Sequence, residues 1–342
     1  MGAVRPVCVL GLGLIGGSVL RAADAAGYPV WGATESALDA DAARAEGFSV
    51  EPSVADAVRR AASTDALVVL AVPLPAVEPV LREIAALAPE CRLTDVVSVK
   101  GPVVDAVSRL LPRARYAGGH PMAGLSASGW AASDAELFQD AAWVVTADVE
   151  ESEEDGAVSA TDPTLWREVA RLALDCGGQV VPATAAEHDA AVARVSHLPH
   201  MMAAVLAAVG ADGGPLALTL GAGSFRDGTR VMASRPELVR AMCEGNRQAL
   251  LDAVDDALGR LGAARGALAS TGSVAATVQA GHSARLAWER LTGPREEGVT
   301  EVPVTNLARL VALGRAGGRV IDLTDRTAMV RMPQPPSSAS GV

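Results

Sequence analysis

Through the first half of the chain, short runs of consecutive apolar residues alternate with stretches of helical period. Pro6 to Leu10, Pro29 to Ala33, Ala66 to Val72, Leu93 to Val99 and Ala142 to Thr146 are such runs, and Arg115 to Gly119 is a more polar sixth. Unbroken apolar runs of this length fit strands buried on both faces. Their alternation with helices predicts an α/β fold, a Rossmann-type doubly wound parallel sheet, over residues 1–147. Beyond residue 163 the period becomes 3.6. A helix is expected over Pro163 to Cys176, stopped by Gly177-Gly178, then a short strand over Gln179 to Pro182. Long helices follow near 184–210, 236–265 and 271–292, so 163–294 reads as an all-helical substrate and dimerisation domain. A small strand–helix–strand–strand unit, Thr300 to Met332, is expected within 295–333, and 334–342 reads as a disordered tail.

Charge and composition refine this picture. The chain of 342 residues carries a net charge of −11. Six of the eight residues from Asp148 to Asp155 are acidic, so 148–162 reads as a solvated acidic linker and much of the acidity is local. No nucleic-acid partner is expected. Hydrophobic residues make up 50% and aromatics 3%, which predicts a core of Ala, Val and Leu and excludes disorder as the main state. The four cysteines, Cys8, Cys91, Cys176 and Cys243, form no Cys-x-x-Cys pair, so neither a thiolate metal site nor a redox dithiol is expected. Arg5 before the apolar stretch Val7 to Leu20 imitates a secretory signal, but four glycines stand in that stretch in an ordered pattern. No apolar run reaches the roughly 18 residues of a membrane helix. The expected compartment is the cytoplasm, without membrane contact.

The ordered pattern is chemical. Gly11-Leu12-Gly13-Leu14-Ile15-Gly16 directly follows the first strand and opens a helix over 14–26. In that setting G-x-G-x-x-G is a dinucleotide-binding turn. Gly11 permits the tight turn, Gly13 lets a pyrophosphate approach the backbone, and Gly16 lets helix and strand pack closely, with free N–H groups of the helix facing the phosphates. The second strand ends in Thr34-Glu35-Ser36. Glu35 stands where an acid would accept bonds from the adenosine ribose, about 20 residues past the last glycine. Thr34, the more usual register for that acid, is neutral, and Arg44 is a candidate for a 2′-phosphate, so NAD is favoured and NADP stays open. Ligands in such sheets sit beyond the carboxyl ends of the strands. Val72-Pro73, Ser98, Lys100 and His120 all fall there. Lys100 is the one lysine beside 28 arginines.

In the helix near 184–210, Asp189, Ser196 and His200 fall within roughly 40° of one another at about 100° per residue, and His197 lies about 60° from His200. Pro199 is expected to open that helix. A metal is not expected there, since His197 and His200 lack a third ligand. Gly221 to Arg230 reads as a glycine-rich loop whose Arg226 and Arg230 can grip a carboxylate, with Asp227 either beside them or capping a helix.

Together these residues resemble the prephenate/arogenate dehydrogenase family of tyrosine biosynthesis, most closely its actinobacterial branch. The matching pieces are Gly11 to Ser18, Asp95 to Lys100, Gly119 to Gly124, His188-Asp189 with Ser196 to His200, and Phe225 to Arg230, in family order. The departures are Thr34, where NAD-preferring members usually have Asp, and the tail from 295, too short for a full ACT-type regulatory domain. The resemblance implies oxidative decarboxylation of prephenate to 4-hydroxyphenylpyruvate and CO2, with NAD or NADP taking the hydride, by a cytoplasmic homodimer. It implies that His120 accepts the ring hydroxyl's proton with Ser98 as second partner. Arg230 would hold the ring carboxylate, oriented by Asp227, and Ser196, His197 and His200 would line the side-chain end. Lys100 would place positive charge near cofactor or substrate. Arogenate or an amino-substituted analogue is the alternative substrate, although residues 121–130 hold no acid to pair with an ammonium. Two rival readings are a β-hydroxyacid dehydrogenase, which would want a lysine on a helix of the second domain, and a non-catalytic NAD(P) sensor, which would not need His120, Ser98 and Arg230 together.

Overall fold

The computed structural model describes residues 4–125, 127–150, 158–159, 161–292 and 298–333. The centre of the acidic linker, 151–157, and the tail 334–342 lie outside them. The amino-terminal half begins β1 (Val7–Leu10), α1 (Leu14–Ala25), β2 (Val30–Ala33), α2 (Ala37–Ala45), α3 (Val54–Thr64), β3 (Leu67–Leu70), α4 (Leu74–Leu87), β4 (Arg92–Asp95), α5 (Gly101–Leu110) and β5 (Arg115–Tyr116). These strands form a five-stranded parallel sheet of order β2-β1-β3-β4-β5. β1 and β3 are buried at every position, as their apolar runs require of strands covered on both faces, and β4 is equally buried although it carries Arg92, Thr94 and Asp95.

The run Ala142 to Thr146, expected in this sheet, belongs elsewhere. After β6 (Gly119–Pro121) come β7 (Ala142–Thr146), a short hairpin β8 (Val149–Glu150) and β9 (Val158–Ser159), α6 (Pro163–Asp175) and β10 (Gln179–Ala183). β6 runs antiparallel to β7, and β7 pairs in parallel with β10 across α6. A break at 147 would therefore divide one β–α–β unit, and the flanks of the acidic linker are paired strands rather than free coil. The carboxy-terminal unit, as its local pattern predicts, is a strand, a helix and two strands: β11 (Val299–Pro303), α14 (Leu307–Arg315), β12 (Arg319–Leu323) and β13 (Thr327–Arg331). Its placement is new. β12 pairs with β10, giving a second sheet of order β11-β13-β12-β10-β7-β6. Leu310, Val320 and Val330 enter the same core as Trp143, Val145 and Trp166, so residues 298–333 complete the first half of the molecule instead of trailing behind the helices.

Between β10 and β11 lie α7 (Ala185–Val192), α8 (Leu198–Asp212), α9 (Gly214–Thr219), α10 (Gly223–Thr229), α11 (Pro236–Gly245), α12 (Arg247–Thr271) and α13 (Ala275–Thr292). The helical domain thus begins at 185, not 163, because α6 packs on the second sheet. A π-helical turn, Ala193–His197, joins α7 to α8 just ahead of Pro199, at the place where proline removes a backbone donor. Gly221 to Arg230 is mostly helix rather than loop: α10 runs into a 3-10 turn, Arg230–Ala233.

Candidate active site

The glycine turn has the geometry a dinucleotide needs. Gly11 sits at φ +100°, in the region that favours glycine, and an added Cβ would run into the backbone of Ala71 and the Val72 side chain. A Cβ on Gly16 would meet Gly11 and Ala71, so helix and sheet touch there. A Cβ on Gly13 would meet nothing within 4 Å, which leaves room for a phosphate beside the uncapped first turn of α1. Leu12 is buried, whereas Leu14 and Ile15 are half-buried in that turn, and Pro73 is exposed at the end of β3. β2 ends at Ala33, and Ser36 caps α2 by accepting from the Asp39 amide. The chain turns at Thr34 and Glu35. Thr34 is half-buried, and Glu35 is exposed with no ion pair or hydrogen bond. Arg44, the candidate for a 2′-phosphate, is held by Asp41 and the Val50 carbonyl.

Beyond the ends of β4 and β5 a polar cluster joins the two halves. His120 is half-buried on β6, and its Nδ1 lies 2.8 Å from Nε2 of His188 on α7. His188 Nδ1 lies 2.7 Å from Asp189 Oδ1. Asp189 also accepts from the amides of Lys100 and Gly101, both at 2.8 Å, and so caps α5, which has no side-chain cap of its own. Burial, the neighbouring His188 ring, Lys100 and His197 hold the His120 pKa well below the ordinary 6.5. His188 is also lowered, by burial foremost, against the pull of Asp189. Both imidazoles are neutral near pH 7. Ser98, just past the end of β4, is half-buried and its hydroxyl makes no bond among the described residues.

Lys100 does not face the pocket. It is fully buried, its ammonium bonds Asp95 and the Gly119 carbonyl (2.7 Å), and Tyr116 donates to the other Asp95 oxygen at 2.6 Å. Its role as a substrate contact is therefore corrected: it ties β4 to the residue before His120. Burial pushes the Tyr116 hydroxyl pKa well up, so it stays a donor to Asp95.

The helix face also differs from the one an ideal helix would present. The π turn absorbs one extra residue, so after it the frame lags by about 100°. This puts His197, not Ser196, in line with Asp189. His197 is fully buried, and Asn246 binds it together with the Asp189 carbonyl, at 3.1 and 2.8 Å. Since that amide donates to His197 Nδ1, the proton sits on Nε2, which is buried without a partner. Burial lowers the His197 pKa to about 4. Ser196 and His200 remain half-buried, joined by a bond from His200 Nδ1 to the Ser196 carbonyl at 2.8 Å. Arg226, Asp227 and Arg230 are exposed on a segment packed against α8, and no ion pair or hydrogen bond joins their side chains to one another or to His200. Asp227 is inside α10 and caps nothing, so neither reading of it as a cap nor as an orienting partner is made in this structure. Among the described residues no group of three or more His, Cys, Asp or Glu side chains is placed to hold a metal ion.

Two family models match the chain: the nucleotide-binding domain of prephenate dehydrogenase over residues 20–177, and its dimerization domain over 184–273. The chain belongs to the prephenate dehydrogenase family. As a member it is an oxidoreductase with a nucleotide-binding domain. It is 34% identical, over 78% of its length and 89% of the relative's, to the cyclohexadienyl dehydrogenase of Zymomonas mobilis. It is 32% identical to the prephenate dehydrogenase of Bacillus subtilis, over 73% of this chain and 66% of that one. The crystal structure of a Corynebacterium glutamicum protein assigned as a prephenate dehydrogenase superposes with a TM-score of 0.77 at 46% identity, covering 83% of this chain and 89% of that one. The family models leave 298–333 unmatched.

Three groups in this prephenate dehydrogenase-family site carried too little local signal to be given roles from sequence. Asn246 stands alone between two helices. Asp95 and Tyr116 read as ordinary strand residues, although the one lysine five positions after Asp95 marks the pair.

Proposed function

We propose that the chain oxidises and decarboxylates prephenate to 4-hydroxyphenylpyruvate and CO2 in tyrosine biosynthesis, with NAD as acceptor. The observation that carries this is His120, held on β6 by the His188 ring in a chain whose glycine turn is shaped for a dinucleotide. NAD, when bound, supplies the acceptor for hydride from the ring carbon bearing the hydroxyl. His120 takes the hydroxyl proton as that carbon becomes a carbonyl, with Ser98 as a second partner to the oxygen. Loss of the ring carboxylate as CO2 then makes the ring aromatic, and the proton returns to the same oxygen. Aromatisation supplies the drive, so the protein's task is orientation and custody of one proton. Arg230, unpaired among the described residues, holds the ring carboxylate. Ser196, His200 and the unpartnered His197 Nε2–H serve the side-chain end. Product analysis tests this: one CO2 and one reduced nicotinamide should appear per 4-hydroxyphenylpyruvate, and hydride transfer without CO2 would overturn it.

Arg230→Ala should raise KM for substrate roughly 10–150-fold, the loss of a charge-assisted pair being about 1.5–3 kcal/mol. An unchanged KM in folded protein would make Arg230 mere surface charge. For the cofactor, the free carboxylate of Glu35 at the end of β2 repels a 2′-phosphate, and Arg44 is already engaged. NAD should be used better than NADP, and Glu35→Ala should narrow that margin. A ratio of kcat/KM that does not move in this variant would remove Glu35 as the ribose reader.

The continuous segment Ala185–Asp212 is long and apolar enough to cross a membrane by composition, yet it carries Asp189 and bonds into the first domain. Its exposed Met201, Met202, Val205 and Val209, with Leu258 and Leu261 of α12, suit a subunit interface. The assembly is accordingly a homodimer through the helical domain, working in the cytoplasm.

A further inference from the structure

We propose that Asp189 and His188 govern His120. Asp189 fixes the His188 ring, His188 fixes the tautomer of His120, and His188 shares the proton that His120 removes. This rests on the reading of His120 as proton acceptor.

Donors and acceptors run along one line from α5 to β6. Asp189 sits at the first turn of α5, where two backbone amides donate to its oxygens, an arrangement that favours the ionised carboxylate. An ionised carboxylate only accepts, so His188 Nδ1, 2.7 Å away, carries the hydrogen. A neutral His188 then has a bare Nε2. That bare nitrogen lies 2.8 Å from His120 Nδ1, and the contact is a hydrogen bond only if His120 Nδ1 carries the hydrogen. His120 Nε2 is left bare, ready to accept from a substrate hydroxyl. Without the pair, His120 is free to hold its proton on Nε2 and to meet the hydroxyl as a donor, which is the wrong form for a base.

The surrounding charges say where the proton rests. His120 is faced by His188, Lys100 and His197, none of which stabilises a cation on it. His188 is faced by Lys100 as well, but also by Asp189 in direct contact and by Asp95. In the balanced step the C–H bond at the carbon bearing the hydroxyl breaks, its hydride going to the nicotinamide that would be bound there, and the substrate O–H bond breaks with its electron pair becoming the second carbon–oxygen bond. A new N–H bond forms at His120 Nε2. The hydrogen on His120 Nδ1 crosses to His188 Nε2, so the imidazolium stands beside Asp189. Proton return to the product phenol reverses the two transfers, and nothing is consumed. Asp189 and His188 touch neither substrate nor cofactor in this scheme. They are positioning residues, although α7 lies outside the domain that carries the glycine turn.

Two variants separate the functions. His188→Leu removes the acceptor, whereas His188→Gln keeps an amide oxygen for the His120 Nδ1–H but cannot take a proton. Histidine-selective 15N NMR of the full-length protein reads the tautomer, with the His120 signal assigned by its loss in His120→Asn. The wild type should show His120 protonated at Nδ1. His188→Leu should shift it to Nε2 and lower kcat about 10–100-fold, as for other partners that orient a working imidazole. His188→Gln should keep the Nδ1–H form, recover part of the loss, and yet stay below wild type. A His188→Leu protein with the tautomer and kcat of wild type overturns the proposal. Should that variant fail to fold, His188→Gln decides: wild-type kcat there rules out proton sharing. If His120→Asn itself stays fully active, the base assignment fails instead, so the two failures are distinct.

Discussion

His120→Asn should fold, bind the dinucleotide and lose about 10²–10⁴-fold in kcat, the usual contribution of a general base. The ring sits on a three-residue strand paired to β7 through backbone bonds that the substitution leaves in place. Its loss removes the imidazole whose Nε2 is left bare to accept the substrate hydroxyl's proton, while the glycine turn is untouched. The pH profile gives a second reading of the same group. Burial, His188 and Lys100 all favour the neutral form, so the acid limb of kcat/KM in the wild type should lie below pH 6.5, and rate should be lost only as pH falls through the lowered His120 value. His120→Asn should abolish that limb. A variant with more than about a third of wild-type kcat would remove His120 from the chemistry, against a general-base effect that starts near 10².

The second large effect concerns stability. Lys100→Met should destabilise the protein by about 3–5 kcal/mol, because it strands the buried Asp95 carboxylate without its cation. Both side chains are fully buried, and Tyr116 and the Val97 amide are the remaining donors to Asp95. The Gly119 carbonyl would lose its partner as well, which loosens the strand end that aims His120. Chemical unfolding measures the first consequence. A loss below about 1 kcal/mol, far under the range for a broken buried pair, would mean that Lys100 is not the structural tie described.

What could be read from the sequence was local. The glycine turn, the strand ends at Ser98 and His120, and the strand–helix–strand–strand pattern of the carboxy-terminal unit each lie within a few tens of residues. What escaped depends on distant pairings. β12 joins β10 across 140 positions, from Val320 to Val180, and no periodicity in either strand announces it. That pairing moved residues 298–333 from an appendage into the first core. The face carrying His197 was misread because ideal helix arithmetic contains no π turn, and one absorbed residue exchanges Ser196 for His197 opposite Asp189. Lys100 looked like a pocket residue because strand ends point at ligands. Its partner Asp95 was in view five residues earlier, but only the fold shows that both are closed to water.

The activity proposed for the protein is oxidative decarboxylation of prephenate, with His120 as proton acceptor. Steady-state kcat/KM of the purified protein with prephenate and with arogenate, each with NAD and with NADP, tests it most directly. Prephenate with NAD should give the highest value of the four, with 4-hydroxyphenylpyruvate as product. A highest value with arogenate, or no turnover of either ring in protein that binds NAD, would contradict it.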